Sequence, residues 1–124
     1  MNVFVNDNMF RVRVCVTPET IQKGMMGQRF NSDFNGMLFM MGQNEEQNFW
    51  MKNCLIPLDI VFVLNNRINK IHHNCPPADP HDLTPLTYSG IGDHVIEFPG
   101  GTCKDFKTGD RVNMYLGTPQ NPVQ

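Results

Sequence analysis

The sequence predicts a mostly β fold (β-rich α+β): a small antiparallel β-barrel, closed or partly closed, of six to eight short strands with one short helix. Three observations carry this. Apolar and polar residues alternate at period two in several short runs, the pattern of strands that bury one face. Asparagine-rich tripeptides and dipeptides punctuate those runs, where tight hairpins need left-handed backbone. Only one segment carries helix-start signals. Most connections are short, which favours antiparallel pairing, and closure hides the strand edges.

The elements follow in order. In "NVFVNDNMFRVRVCV" two runs flank Asn6-Asp7-Asn8, and Phe10, Val12, Val14 and Val16 alternate with Arg11, Arg13 and Cys15. This predicts a first hairpin. Thr17-Pro18-Glu19 supplies an N-cap hydroxyl, a proline at the first helical position and an acidic first turn, so a short helix is expected from Thr17 to Met26, weakened by Gly24. The apolar run "GMLFMM" at 36–41 reads as a buried strand, the polar stretch 42–48 as an exposed loop, and Phe49 to Asn53 as the next strand. "LDIVFVL" and "RINKIHH" flank Asn65-Asn66 and predict a second hairpin. Residues 74–92 hold four of the nine prolines and predict a long irregular loop. "HVIEFPGG" is a strand, "TCKDFKTGD" a turn or short helical piece, and "RVNMYL" a last strand with Val112, Met114 and Leu116 on one side. The helix is expected to plug one end of the barrel.

The 124 residues fit one domain, expected over residues 1–116 with a frayed tail at 117–124. Charged residues are 18% of the chain and the formal net charge is −2, which together with the lack of a Lys/Arg cluster argues against a nucleic-acid partner. The N-terminal segment lacks the basic and apolar regions of a secretory signal, and no run approaches the ~18 apolar residues of a membrane span. A cytoplasmic location is the expectation. The four cysteines, Cys15, Cys54, Cys75 and Cys103, form no Cys-x-x-Cys pair, so free, mostly buried thiols are expected and no cofactor is indicated.

The segments "QKGMMGQRF", "GMLFMM", "FWMKNCLIPLDIVFV", "HVIEFPGG" and "TGDRV" stand in the order of a known pattern. On these residues the chain resembles the bacterial and archaeal family catalogued as domain of unknown function 192, over roughly residues 10 to 116, and the central block is long enough to be specific. The chain departs from the pattern at Met25, at Gln28-Arg29, at Cys54 in a Thr or Ser position, and at a shortened Phe98-Pro99. The resemblance implies a small β-rich domain with no agreed enzymatic activity, in a family whose other members are often exported.

Within that central block, Trp50, Lys52 and Asn53 bring an aromatic ring, a cation and an amide together among apolar runs. One reading is a cleft in which Trp50 is an apolar platform, Lys52 an anion contact and Asn53 an orienting amide. The plainer reading has Lys52 lying over the Trp50 ring and Asn53 forming a turn before Pro57. Asp59 and Glu97 each interrupt an apolar strand, so each is paired, exposed or shifted in pKa. With Lys52 they form a conceivable acid-base set; alternatively they accept backbone N–H bonds or pair with Lys52 or Arg29 as structure.

"HHNCPPADPHD" offers His72, His73, Cys75, Asp79, His81 and Asp82, metal ligands by type at a spacing that fits no standard structural site. Cys75 and His81 form a still weaker nucleophile pair. Six of the nine methionines fall between 25 and 51; thioethers suit soft metals, but here they sit among Leu and Phe as core filler. Gly100-Gly101 before Thr102 reads as an anion cradle or, more plainly, a tight corner. The first expectation is therefore a non-catalytic binding module with a cleft of Trp50, Lys52, Asn53, Asp59 and Glu97 for a small polar ligand or a peptide or protein partner. A hydrolase-like enzyme using Lys52, Asp59 and Glu97 is the alternative, and a metal-handling protein with His72, His73, Cys75 and His81 ranks third.

Overall fold

The computed structural model describes residues 1–115; Leu116 of the predicted last strand and the predicted frayed tail at 117–124 lie outside the described residues. Seven strands, β1 (Asn2–Val5), β2 (Asn8–Cys15), β3 (Gly36–Trp50), β4 (Leu58–Leu64), β5 (Arg67–Cys75), β6 (Thr87–Pro99) and β7 (Val112–Tyr115), and one helix, α1 (Pro18–Lys23), make up the described fold. The strands form one sheet in the order β5-β4-β6-β3-β2-β1-β7. The sheet curls into a half-barrel. Its two outer strands meet at one end only, where Arg67 bridges Arg111, Ile68 N–H donates to Asp110 O at 2.9 Å and Val112 N–H donates to Asn66 O at 2.8 Å.

Both hairpins form where the asparagines allow them. Asn6 turns β1 into β2 with φ 51°, and Asn65 and Asn66, at φ 52° and 61°, turn β4 into β5; two consecutive left-handed residues match the twist of the flanking strands. Thr17 and Thr20 cap each other reciprocally at the start of α1. The helix stops at Gly24, whose φ of 48° and ψ of −130° leave the helical region, so it is shorter than the predicted Thr17–Met26. It also plugs nothing: no residue of α1 is fully buried, and Ile21 packs at the margin of a core cluster.

Three further expectations are corrected. β2 and β3 pair in parallel, with Val12 opposite Gly36, because the connector 16–35 is long enough, with its helix, to cross over. The polar stretch 42–48 continues β3 after an irregularity between Met40 and Glu45, and Glu45 to Trp50 pair with Thr87 to Gly92 of β6. A backbone ladder needs no apolar side chain, so this exposed ribbon leaves no period-two mark. The irregular loop is accordingly reduced to residues 76–86.

The sheet has apolar residues on both faces. The concave cluster takes Val3, Val12, Leu38, Val61, Ile96 and Phe98, among others, and draws on all seven strands. The opposite cluster takes Phe39, Ile60, Phe62 and Val95 and is covered by Met25, Phe34 and Met51 from irregular segments. Strand alternation divides β2 to β6 between the two clusters, whereas β1 and β7 contribute to the concave one alone. Gly90 belongs to this second face: a Cβ there would meet the Phe62 ring at 2.5 Å, so the ring packs directly on bare backbone.

Candidate functional site

The register of β4 against β6 decides where the two carboxylates go. Asp59 stands opposite Phe98, and Ile60 opposite Glu97. Asp59 therefore shares the concave face with Phe98, and Glu97 shares the other face with Ile60 and Val95. The two side chains point away from each other through the sheet, so the predicted acid-base set is not gathered at one place.

Asp59 is fully buried and fully engaged. Its Oδ1 accepts from Asn74 N–H at 2.6 Å and Gly101 N–H at 3.1 Å, and its Oδ2 from Cys103 N–H at 2.8 Å. The Gly100-Gly101 corner thus does cradle an anion, and that anion is the chain's own carboxylate. Gly101, at φ 93°, sits in left-handed backbone that favours glycine. Burial and, next, the Asp59 charge hold the Cys103 thiol far above its ordinary pKa; Cys75 is pushed up to about 11 by burial first, then by Asp59 and Glu97.

Glu97 is nearly as deeply buried, at 3% exposure, and among the described residues no group hydrogen-bonds its carboxylate and no cation pairs with it; since no fully buried side-chain oxygen there lacks a partner, its oxygens keep a small exposure, toward the cavity it lines. Burial alone raises its pKa from 4.5 to about 8, so it is largely the neutral acid at pH 7. It lines a cavity of about 260 Å³ between α1 and the β3–β6 ribbon. The walls are Phe39, Phe49, Trp50, Met25, Met26 and Met41, with Cys54 beside Glu97 and Gln22 and Lys23 on the helix side. Burial, then Glu97, pushes the Cys54 thiol up to about 12, which leaves it unreactive as a nucleophile.

Of the five predicted cleft residues, the structure brings Trp50 and Glu97 to this cavity. Trp50 stays 42% exposed. Lys52 is exposed, with its Nζ 5.1 Å from the Trp50 ring centroid, and Asn53 forms the left-handed turn at φ 59°, its O accepting from Gly27 N–H at 2.9 Å. The His-rich segment is dispersed. His72 Nε2 bonds Ser89 O at 2.7 Å and its ring packs edge-on to Phe62 and Tyr88; Cys75 Sγ donates to His72 O; His73 and His81 are exposed. Among the described residues no three His, Cys, Asp or Glu side chains gather as a metal site.

Sequence reasoning missed the other cavity residues: Met25, Met26, Met41, Phe39 and Phe49 read as core, helix or strand, Cys54 as a buried thiol, and Ile21 to Gly24, Gln47 and Asn48 as helix and exposed loop. Three of the six clustered methionines line the cavity, while Met37 and Met51 are buried in the core. The early stop of α1 at Gly24 was the available signal, since a helix too short to cover its sheet leaves space beneath it.

The half-barrel and the carboxylate that lines this cavity define the class, a β-rich domain with a pocket on the face opposite its concave core. The sequence model of the family DUF192, described as "Uncharacterized ACR", matches residues 1–114, and the chain belongs to that family. Two crystal structures are similar. One, a protein of unknown function from Novosphingobium aromaticivorans DSM 12444, is 33% identical with a TM-score of 0.76, over 91% of this chain and 84% of that one. The other, described as "a putative transcription regulator" from Sinorhizobium meliloti 1021, is 28% identical with a TM-score of 0.70, over 90% and 89%. No curated protein matches the chain. The family is uncharacterised, and the Novosphingobium protein is likewise of unknown function.

Proposed function

We propose that this chain is a non-catalytic binding module, one domain over residues 1–116, that takes a small ligand into the 260 Å³ cavity beneath α1. One observation carries the reading: Glu97 is a buried carboxyl with no protein partner, and it faces that cavity. Holding a carboxyl this deep without a protein partner costs stability, and a ligand that bonds it from the cavity offsets the cost. The volume lies just below the range of about 300–1,000 Å³ typical of pockets for drug-sized ligands, so the ligand is smaller than those.

The same placement speaks against the hydrolase-like alternative, because Asp59 is spent on three backbone N–H groups on the other face. The description of the Sinorhizobium protein is not carried over, since a net charge of −2 and a sequence without clustered Lys and Arg do not favour a nucleic-acid surface. A cytoplasmic setting is supported by four free thiols, three of them buried. No helix among the described residues is long and apolar enough to cross a membrane.

The test is a screen of small polar compounds read by the emission of Trp50, the only tryptophan. Hits that shift this emission, and that lose their effect when Met41→Phe narrows the cavity, support the module. A library that leaves Trp50 unchanged throughout, together with a bare mass for the gently purified protein, overturns it.

A further inference from the structure

Resting on that reading, we infer that the ligand is a small organic cation of the alkylammonium class, its charged nitrogen against Glu97 and its carbon chain among Phe39, Phe49, Trp50 and the methionines. Three features of the cavity converge on this. First, among the described residues on the lining Glu97 is the only carboxylate, and Lys23, the one cation, is exposed and makes no ion pair with it. A buried carboxylate lacking a protein counter-charge is the place a ligand's charge would fill. Second, three aromatic rings border the same space, and ring faces attract ammonium groups more strongly once water is excluded. Third, the thioethers of Met25, Met26 and Met41 with Ile21 give the walls an apolar stretch that suits a short alkyl chain, and the other polar side chains there, Gln22, Gln47 and Asn48, are uncharged amides that leave Lys23 as the sole cation among the described lining residues.

The groups around Glu97 leave this arrangement intact. β3 and β4 set Met37 and Ile60 opposite it. The thiols of Cys15, Cys54 and Cys75, from β2, the turn before β4 and β5, are all held neutral, their pKa raised chiefly by burial and also by the Glu97 charge. Asp59 points through the other face. A cation binding here favours the carboxylate form, so Glu97, mostly protonated at pH 7, gives up its proton as the ligand enters. A neutral hydrogen-bond acceptor would do the opposite and require the proton.

The experiment titrates the protein with n-butylammonium and with n-butanol, its uncharged counterpart, at pH 7 and pH 9, following Trp50 emission. With a pKa of about 8, Glu97 is ionised in roughly a tenth of molecules at pH 7 and nine-tenths at pH 9, while an alkylamine resembling lysine keeps its charge to about 10.4. The inference expects n-butylammonium to bind about tenfold more tightly at pH 9, with release of close to one proton per ligand at pH 7 in weakly buffered solution. Glu97→Gln should abolish both the pH dependence and the proton release. Capped lysine amide is a third probe: tighter binding of it than of n-butylammonium assigns the site to a lysine side chain, weaker binding to a free amine.

Cation affinity that is flat or falling with pH, or n-butanol binding where the cation does not, overturns the inference and leaves the pocket standing. Emission unmoved by every probe, with no heat in calorimetric titration of any of them, overturns the cation assignment; joined to an unresponsive screen, it removes the pocket as well. Proton release is measured on the unaltered protein and so does not depend on the variant folding.

Discussion

Asp59 and Glu97 are carboxylates of nearly equal burial on adjacent strands, and they differ in everything that follows from the face they occupy. Asp59 looks into the concave core and receives three backbone N–H bonds; Glu97 looks into the space under α1 and receives none among the described residues. The first carboxylate ties the end of β5 to the corner after β6. The second raises its own pKa to about 8 through burial alone. Depth of burial therefore does not separate structural from functional acids; the supply of donors does.

The largest effect should come from breaking the satisfied side. Asp59→Ala removes the acceptor of three N–H groups, a buried one at Cys103 and two on the exposed residues Asn74 and Gly101; at about 1–3 kcal/mol for a buried donor and the low end of that for the other two, a loss of about 4 kcal/mol is expected by chemical denaturation. That approaches the whole stability of a small domain, and the variant should be largely unfolded at 37 °C. A loss below about 2 kcal/mol would mean that water replaces the carboxylate and that the corner is not held by it.

Glu97→Gln should do the reverse. An acid with a folded pKa above its unfolded value keeps its proton in the fold and loses it in the unfolded chain, so stability falls as pH rises from 4.5 to about 8 and levels off beyond. At about 1.4 kcal/mol for each tenfold, the rise in pKa bounds the gain on substitution at about 5 kcal/mol, and about 2–4 kcal/mol is expected at pH 9. At pH 4, where both states are protonated, the two proteins should match. Equal stability at pH 9 would show that Glu97 is solvated, and the contrast with Asp59 would collapse. A gain accompanied by lost ligand binding is the pattern of a site held at the expense of stability.

How much of this was legible in the sequence depends on what was being read. Local signals located both asparagine hairpins and the capped start of α1, because turn and cap chemistry act over a few residues. The central motif named the family. Within "LDIVFV" and "HVIEFP" the alternation also shows Asp59 in phase with Val61 and Glu97 in phase with Val95. It does not show whether those phases coincide, since that is a property of the register between two strands 38 positions apart, fixed here by Asp59 opposite Phe98. The same distance hid the parallel pairing of β2 with β3 and the exposed β3–β6 ribbon, whose polar side chains carry no periodic signal.

A smaller effect tests the packing of the face that holds the cavity. Gly90→Ala puts a methyl group within 2.5–2.9 Å of three atoms of the Phe62 ring, and overpacking of this kind typically costs about 1–3 kcal/mol. Phe62 also packs edge-on to Phe49, a cavity wall, at 5.9 Å. Ligand affinity should therefore fall with stability in this variant, whereas Asp59 variants that remain folded should bind normally. Equal binding in Gly90→Ala would show that the cavity does not depend on this ring stack.

The smallest change concerns the rim, where Lys52 lies 5.1 Å from the Trp50 ring. Both residues are exposed, and a solvated cation–π contact contributes about 0.5–1 kcal/mol, so Lys52→Ala should cost no more than that by denaturant titration and should shift Trp50 emission. Its effect on binding separates the two charge assignments of the site. If Lys52 contacted an anionic ligand, its removal would weaken binding. With Glu97 as the charge that matters, removing a cation from the rim leaves n-butylammonium binding unchanged or slightly tighter. Any clear weakening of cation binding in Lys52→Ala would instead assign Lys52 to holding Trp50 in place over the cavity mouth, and the difference between the two faces would then rest on Glu97 and Trp50 jointly.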